Sequence, residues 1–326
     1  MKKYDVVALG ELLVDFTDYG MSGQENPVFE ANPGGAPCNV LALLRKYNKS
    51  CTFIGKIGND FFGKMLTAIL DETGIDHKGL IIDNYYNTTL AFVKNYENGD
   101  REFSFYRQPG ADMMLSSDEV EYEQIKQSRL FHFGTLSMTD DNVKEATKRA
   151  IETAKNNGLI ISFDPNLRPP LWKSLDDARN QIAYGLSQCD VLKISDNEIE
   201  FMTGTSDFDK GANILMERYP NIKLLNITAG ADGSYSYYRE IRAYVPSYLL
   251  GGTIDTTGAG DTFCGSVLNY LLDHDLENLS KENLIEMLQI ANAAAYLVTT
   301  KKGAIRSMPD PKDVQKVVNN NYIRED

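Results

Sequence analysis

Histidine, cysteine and tryptophan are scarce in this chain: three, four and one respectively among 326 residues. His77, His132 and His274 are too few and too scattered for chemistry built on several imidazole ligands, and His132 lies in an apolar, strand-like run that marks it as core. Cys38, Cys51, Cys189 and Cys264 stand far apart with no Cys-x-x-Cys spacing, which excludes a zinc ribbon and a disulfide framework. They read as buried thiols in a reducing cytoplasm. No apolar run approaches the roughly 20 residues that cross a bilayer, so no membrane partner is expected. Basic clusters are missing too: 33 Lys and Arg face 46 Asp and Glu, for a net charge of −13. The only lysine pairs are Lys2-Lys3 and Lys301-Lys302, and a nucleic-acid backbone would be repelled. A small anion remains admissible, because backbone amides can cradle it locally. The opening Met-Lys-Lys-Tyr-Asp-Val-Val-Ala-Leu-Gly-Glu imitates a signal peptide in its lysines, but Gly10 and Glu11 interrupt the apolar run, so it reads as a first core strand.

No Pro/Ser-rich linker, charge shift or internal repeat divides the sequence, and one domain over residues 1–326 is expected. Short β-branched runs at Tyr4–Leu9, Cys51–Ile57, Leu130–Phe133, Leu159–Phe163, Val191–Ile194 and Lys223–Thr228 alternate with segments of helical periodicity such as Asp140–Asn156 and Leu175–Ser187. That alternation predicts an α/β fold, a doubly wound, mainly parallel sheet with helices on both faces. Residues Leu12–Asn32 and Thr88–Tyr106 break the pattern and read as antiparallel strands, the second pair joined by the turn Glu97-Asn98-Gly99-Asp100. Together, at about 12–33 and 86–108, they predict a discontinuous small β lid over the carboxyl ends of the parallel strands, where open α/β sheets bind ligands. A long helix is expected over Ser280–Val298, its Ala-Asn-Ala-Ala-Ala run leaving room for a neighbouring helix or a flat ligand.

The segment with most chemistry is Asp255-Thr-Thr-Gly258-Ala259-Gly260-Asp261-Thr-Phe263. A Gly-Ala-Gly turn opening a helix presents unpaired amides and the positive end of the helix dipole to one point, which makes an anion hole. Asp261 in the first turn is either a simple capping acid or a base for a hydroxyl proton beside those amides. Gly34-Gly35-Ala-Pro-Cys-Asn39 would let backbone approach a polyol closely, with Asn39 able both to donate and to accept. Gly58-Asn-Asp-Phe-Phe-Gly63-Lys64-Met65 imitates a P-loop, but Met65 replaces the magnesium-holding hydroxyl and two phenylalanines crowd the loop, so it is rejected.

The Asp255–Phe263 string resembles the C-terminal signature of the ribokinase-like (PfkB) sugar kinases, and the likeness runs from Gly10 to Pro309. It implies an ATP-dependent carbohydrate kinase acting on a small-molecule sugar. Its lid string Asp100–Met113 looks most like bacterial fructokinases, which implies fructose, phosphorylated at its terminal hydroxyl. A 2-keto-3-deoxygluconate kinase and a silent sugar- or nucleotide-binding relative are the alternatives. On this likeness Asp261 is the base, the amides of Gly258, Ala259 and Gly260 steady phosphoryl charge, and Asp15, Gly34, Gly35 and Asn39 line the sugar pocket. Thr228, Gly230 and Gly233 in Asn226–Gly233 resemble the loop along the triphosphate, and Asn292 the residue beside adenine. Magnesium is implied through water at Glu198, with Glu200 as the competing register. A potassium ion is implied at Asp255, Thr257, Lys301, Ala304 and Ser307. Arg168, in Phe163–Trp172, could brace the γ-phosphoryl group, hold a substrate carboxylate, or form a structural ion pair. Phe103, Phe105 and Arg107 alternate along one strand and either close over the sugar or pack lid strands and a homodimer interface.

Overall fold

A computed structural model describes residues 2–95 and 101–320. The main sheet is built from β1 (Tyr4–Leu9), β4 (Cys51–Gly58), β5 (Asp76–Asp83), β8 (Ser128–Gly134), β9 (Ile160–Asp164), β10 (Val191–Ser195), β11 (Leu224–Thr228), β12 (Ser234–Tyr238) and β13 (Ile241–Val245). A second sheet holds β2 (Leu13–Met21), β3 (Pro27–Gly34), β6 (Leu90–Asn95) and β7 (Arg101–Tyr106). Strand order in the main sheet is β13-β12-β11-β10-β9-β8-β1-β4-β5. All pairings from β11 to β5 are parallel, and the hairpin β12–β13 adds an antiparallel edge. The chain winds from β1 to one side through β4 and β5, then returns to β8 and proceeds the other way. That places the change of direction at β1 and β8, where such folds open a crevice.

The six parallel strands read from the sequence are present, because continuous Val, Ile, Leu and Phe runs suit strands buried on both faces. β5, β12 and β13 were not foreseen; β5 carries Asp76, His77 and Lys78, and β12 is Ser-Tyr-Ser-Tyr-Tyr, so neither shows an apolar run. The small sheet has order β3-β2-β6-β7, as two antiparallel hairpins. They meet edge to edge through a parallel pairing of β2 with β6, Val14 opposite Leu90 and Thr17 opposite Val93, because the long crossover through the main sheet returns β6 in the direction of β2. The expected turn at 97–100 lies outside the described residues.

Two apolar layers flank the main sheet. One centres on helices Ala36–Lys46, Ala259–Asp273 and Lys281–Thr299 with Leu41, Phe263 and Leu288; the other packs Phe131, Phe133, Phe163 and Ile182 under Asp141–Asn156 and Leu175–Gln188. Among the described residues no helix is long and apolar enough to cross a membrane.

Candidate active site

The turns that follow the carboxyl ends of β1, β9, β10 and β11 contribute to a cavity of about 540 Å³. Asp15, Gly35, Asn39, Phe105, Arg168, Glu198, Gly258, Gly260 and Asp261 all line it. The small sheet walls one side through Leu13, Asp15, Val93 and Phe105. A second pocket of about 350 Å³ adjoins it, sharing Thr228, Thr256 and Gly260.

Gly258 opens helix Ala259–Asp273 in the left-handed conformation, φ 78°, which a glycine adopts freely. A Cβ there would fall 2.7 Å from Ala304 Cβ. First-turn amides of that helix face the junction of the two pockets, although Ala259 N–H already has Thr256 O at 3.3 Å and is the least available of them. Asp261 is half-buried on the cavity wall, and its desolvation there pushes its carboxyl pKa up; the Asn39 amide, Lys193 and Arg168 oppose that shift. Asn39 Nδ2 donates to Asp261 Oδ2 at 2.7 Å.

Asp15 lies at the start of β2 against the glycine pair. A Cβ on Gly34 would fall 2.2 Å from Asp15 Oδ2, and one on Gly35, φ 119°, 2.4 Å from Glu11 O. Burial raises Asp15 to about 7, with Arg168 pulling it down and Asp261 and Asp255 pushing it up. Arg168 therefore stands within electrostatic reach of both Asp15 and Asp261. The loop that presents it is fixed at two points: Asn166, φ 46°, donates N–H to Asp164 Oδ1 at 3.2 Å, and Leu167 N–H donates to Glu198 Oε1 at 2.7 Å.

Glu198 forms a capping box with Ser195, its Oε2 accepting the Ser195 N–H at 2.8 Å, and it is buried on the cavity wall. Glu200, two positions on, is exposed and lies outside the cavity lining, because a two-residue step along a helix turns a side chain to another face. Thr228, Gly230, Gly233 and Asn292 all line the second pocket. Asn292 is buried; it donates to Val245 O and Pro246 O and accepts from Ser234 Oγ, so it shapes the pocket wall with its polar atoms already engaged. Asp255 ties the last group together: Oδ1 accepts from Thr257 N–H and Oγ1, Oδ2 from Gly303 N–H at 3.2 Å. Ser307 Oγ donates to Lys302 O and its N–H to Ala304 O, while the Lys301 side chain is exposed.

One expected sugar contact is corrected. Arg107 lies past the end of β7, buried; its guanidinium is within 2.6 Å of Asp112 Oδ2 and also donates to Thr139 Oγ1 and Leu136 O. A fork so fully engaged inside the fold does not share the Phe105 face, and Arg107 is absent from the cavity wall. The Phe103 side chain lies outside the described residues. At the P-loop look-alike, a Cβ on Gly63 would meet Gly58 O at 2.0 Å and Asp60 caps the following helix, so the turn closes on itself.

Sequence reading overlooked Glu11, Asp164 and Lys193. Glu11 accepts the Ala36 N–H at 2.8 Å and burial lifts it to about 7. Lys193 and Asp164 form a buried ion pair on adjacent strands. A lysine inside Val191-Leu192-Lys193-Ile194 was the available signal, since a cation in a buried strand requires an acidic partner. Burial and the nearby Lys193 charge hold His132 down at about 3, a neutral core ring bonded to Ser162.

The family model for pfkB family carbohydrate kinases matches residues 3–311. Fructokinase-1 of Zea mays is 41% identical over 96% of this chain and 97% of its own. Probable fructokinase-2 of Arabidopsis thaliana is 40% identical, covering 93% and 92%. The ATP-bound fructokinase of Xylella fastidiosa superposes with a TM-score of 0.89 at 28% identity, over 99% of this chain and 100% of that one. The fructokinase of Vibrio cholerae, solved with fructose, ADP and calcium, gives 0.84 at 27%, over 96% and 99%. With the Gly258-Ala259-Gly260 helix turn, Asp261 and Gly35 occurring in one crevice of this fold, and the family model matching residues 3–311, the chain belongs to the pfkB family of carbohydrate kinases.

Proposed function

We propose that the protein is an ATP-dependent fructokinase, transferring the γ-phosphoryl group to the terminal hydroxyl of fructose. The observation that carries this reading is Asp261, placed in the first helical turn after Gly258-Ala259-Gly260 and in one cavity with Asp15 and Asn39. Relatives at about 40% identity named as fructokinases support the choice of sugar. ADP release across fructose, 2-keto-3-deoxygluconate, ribose, glucose, tagatose and adenosine tests it: selective turnover of fructose is expected, and turnover of the keto acid alone would overturn the sugar. The engaged Arg107 leaves the keto-acid reading without the extra carboxylate contact it requires.

Asp15 and Asn39 hold sugar hydroxyls and aim one of them at Asp261, and Gly35 lets the backbone approach the ring. Asp261 takes the hydroxyl proton as the oxygen forms its bond to the γ-phosphorus; the bridging β–γ P–O bond breaks and its electron pair leaves with ADP. Burial raises the basicity of Asp261 toward working pH, which favours that proton transfer. Gly258 and Gly260 amides and Arg168 face the phosphoryl charge. The second pocket, lined by Gly230, Gly233 and Asn292, adjoins the Gly260 turn and supports a place there for the adenine.

The residues present fit magnesium held through water. Glu198 is a buried carboxylate at the cavity wall, and each of its oxygens accepts one backbone amide, which leaves a lone pair on each. When bound, the ion neutralises phosphate charge. Potassium fits the oxygen-rich loop of Asp255, Thr257, Ala304 and Ser307, with Lys301 outermost. Exposed Tyr19, Met21, Phe29 and Tyr106 on the small sheet, which acts as a lid, support a homodimer joined lid to lid, for which light scattering should give twice the chain mass. Four free, buried cysteines support a cytoplasmic setting.

A further inference from the structure

The cavity holds a buried cation for which the mechanism above has no role. Lys193 stands near the carboxyl end of β10 with its side chain 8% exposed, its Nζ at 3.2 Å from Asp164 Oδ1 and 3.1 Å from Oδ2. An ammonium has three N–H donors. Among the described residues Asp164 is its only hydrogen-bond partner, which accounts for at most two of them. Lys193 lines the cavity beside Gly260, where an added Cβ would fall 3.0 Å from Nζ. The ammonium thus lies against the turn whose amides face the transferring group.

Stability alone is a weak reason for such a pair, because two apolar residues of like volume are often as stable as a buried ion pair. Nor does Asp164 need a cation in order to hold the Asn166 amide. Phosphoryl transfer, by contrast, spreads charge over three equatorial oxygens, and fixed positive groups on different sides of it lower the barrier. Arg168 arrives from the β9 loop and Lys193 from β10, from two directions.

Resting on the kinase reading, we propose that Lys193 is a second catalytic cation, donating to the ATP phosphates at the Gly260 turn, with Asp164 as its positioning residue. The test uses Asp164→Asn/Lys193→Met, which removes both charges and leaves none unpaired. It should fold and bind AMP as the unmodified protein does, bind a non-hydrolysable ATP analogue about tenfold more weakly, and lose roughly 10²–10³-fold in kcat with fructose KM little changed. Asp164→Asn/Lys193→Gln, neutral but still hydrogen-bonding, must show the same losses and keeps the test open should the apolar pair fold poorly. A kcat close to that of the unmodified protein, or equal weakening of AMP and the analogue, overturns the proposal. No ATP-dependent turnover in the unmodified protein would instead overturn the kinase reading itself.

Discussion

Asn39 Nδ2 donates to Asp261 Oδ2 across 2.7 Å, linking the first turns of two helices that lie 222 residues apart in sequence. Asn39 Oδ1 is buried without a partner among the described residues, so the same amide that steadies the base presents an acceptor to a sugar hydroxyl. One side chain therefore couples substrate position to the state of the base.

Asp261→Asn removes the proton acceptor while keeping shape. Turnover should fall roughly 10²–10⁴-fold with the fold retained, since general-base catalysis contributes about that much. Near-normal turnover in a folded variant would take Asp261 out of the base role.

Asn39→Leu tests the coupling through pH. The Asn39 hydrogen bond lowers the Asp261 pKa against the effect of burial. Without that donor the pKa rises further, so the acid limb of the kcat profile should move to higher pH and fructose KM should increase. An acid limb that stays in place while KM rises would limit Asn39 to sugar binding.

Glu198→Gln and Glu200→Gln decide the magnesium register. Glutamine can accept one of the two amides that Glu198 holds, but its NH₂ clashes with the other, and the half-saturating magnesium concentration should rise about 10–100-fold. Glu200→Gln, on an exposed position, should leave it unchanged. The reverse pattern would reassign the metal.

Much of this was legible because its signals are local. The Gly-Ala-Gly turn, the Gly34-Gly35 pair and the apolar parallel strands each announce a backbone conformation or a burial that nearby residues enforce. What failed to show depends on partners remote in sequence. Arg107 alternates with Phe105, yet Asp112, Thr139 and Leu136 draw its guanidinium inward once the chain leaves β7. Asp164 and Lys193 become a pair only when β9 and β10 lie side by side. The parallel junction of β2 and β6 likewise depends on a crossover through the main sheet, which hairpin-sized patterns cannot express.

Asp15→Asn separates binding from stability. Burial raises the folded-state pKa of Asp15 to about 7, above the usual 3.8, so the folded protein binds more protons than the unfolded chain between those values. Stability from this group is therefore fully present below about pH 4 and is lost as pH rises through about 7. Glu11, lifted by burial to about 7 as well, adds to the same slope. The amide imitates the protonated acid, so ligand-free Asp15→Asn should melt at higher temperature than the unmodified protein at pH 8 and at nearly the same temperature at pH 4. Fructose KM should rise at least about tenfold, as expected when a charged hydrogen-bond acceptor is lost from a buried site. A lower melting temperature at pH 8 would mean that the Asp15 carboxylate is stabilised in the empty site, and that the sugar is not what compensates for its burial.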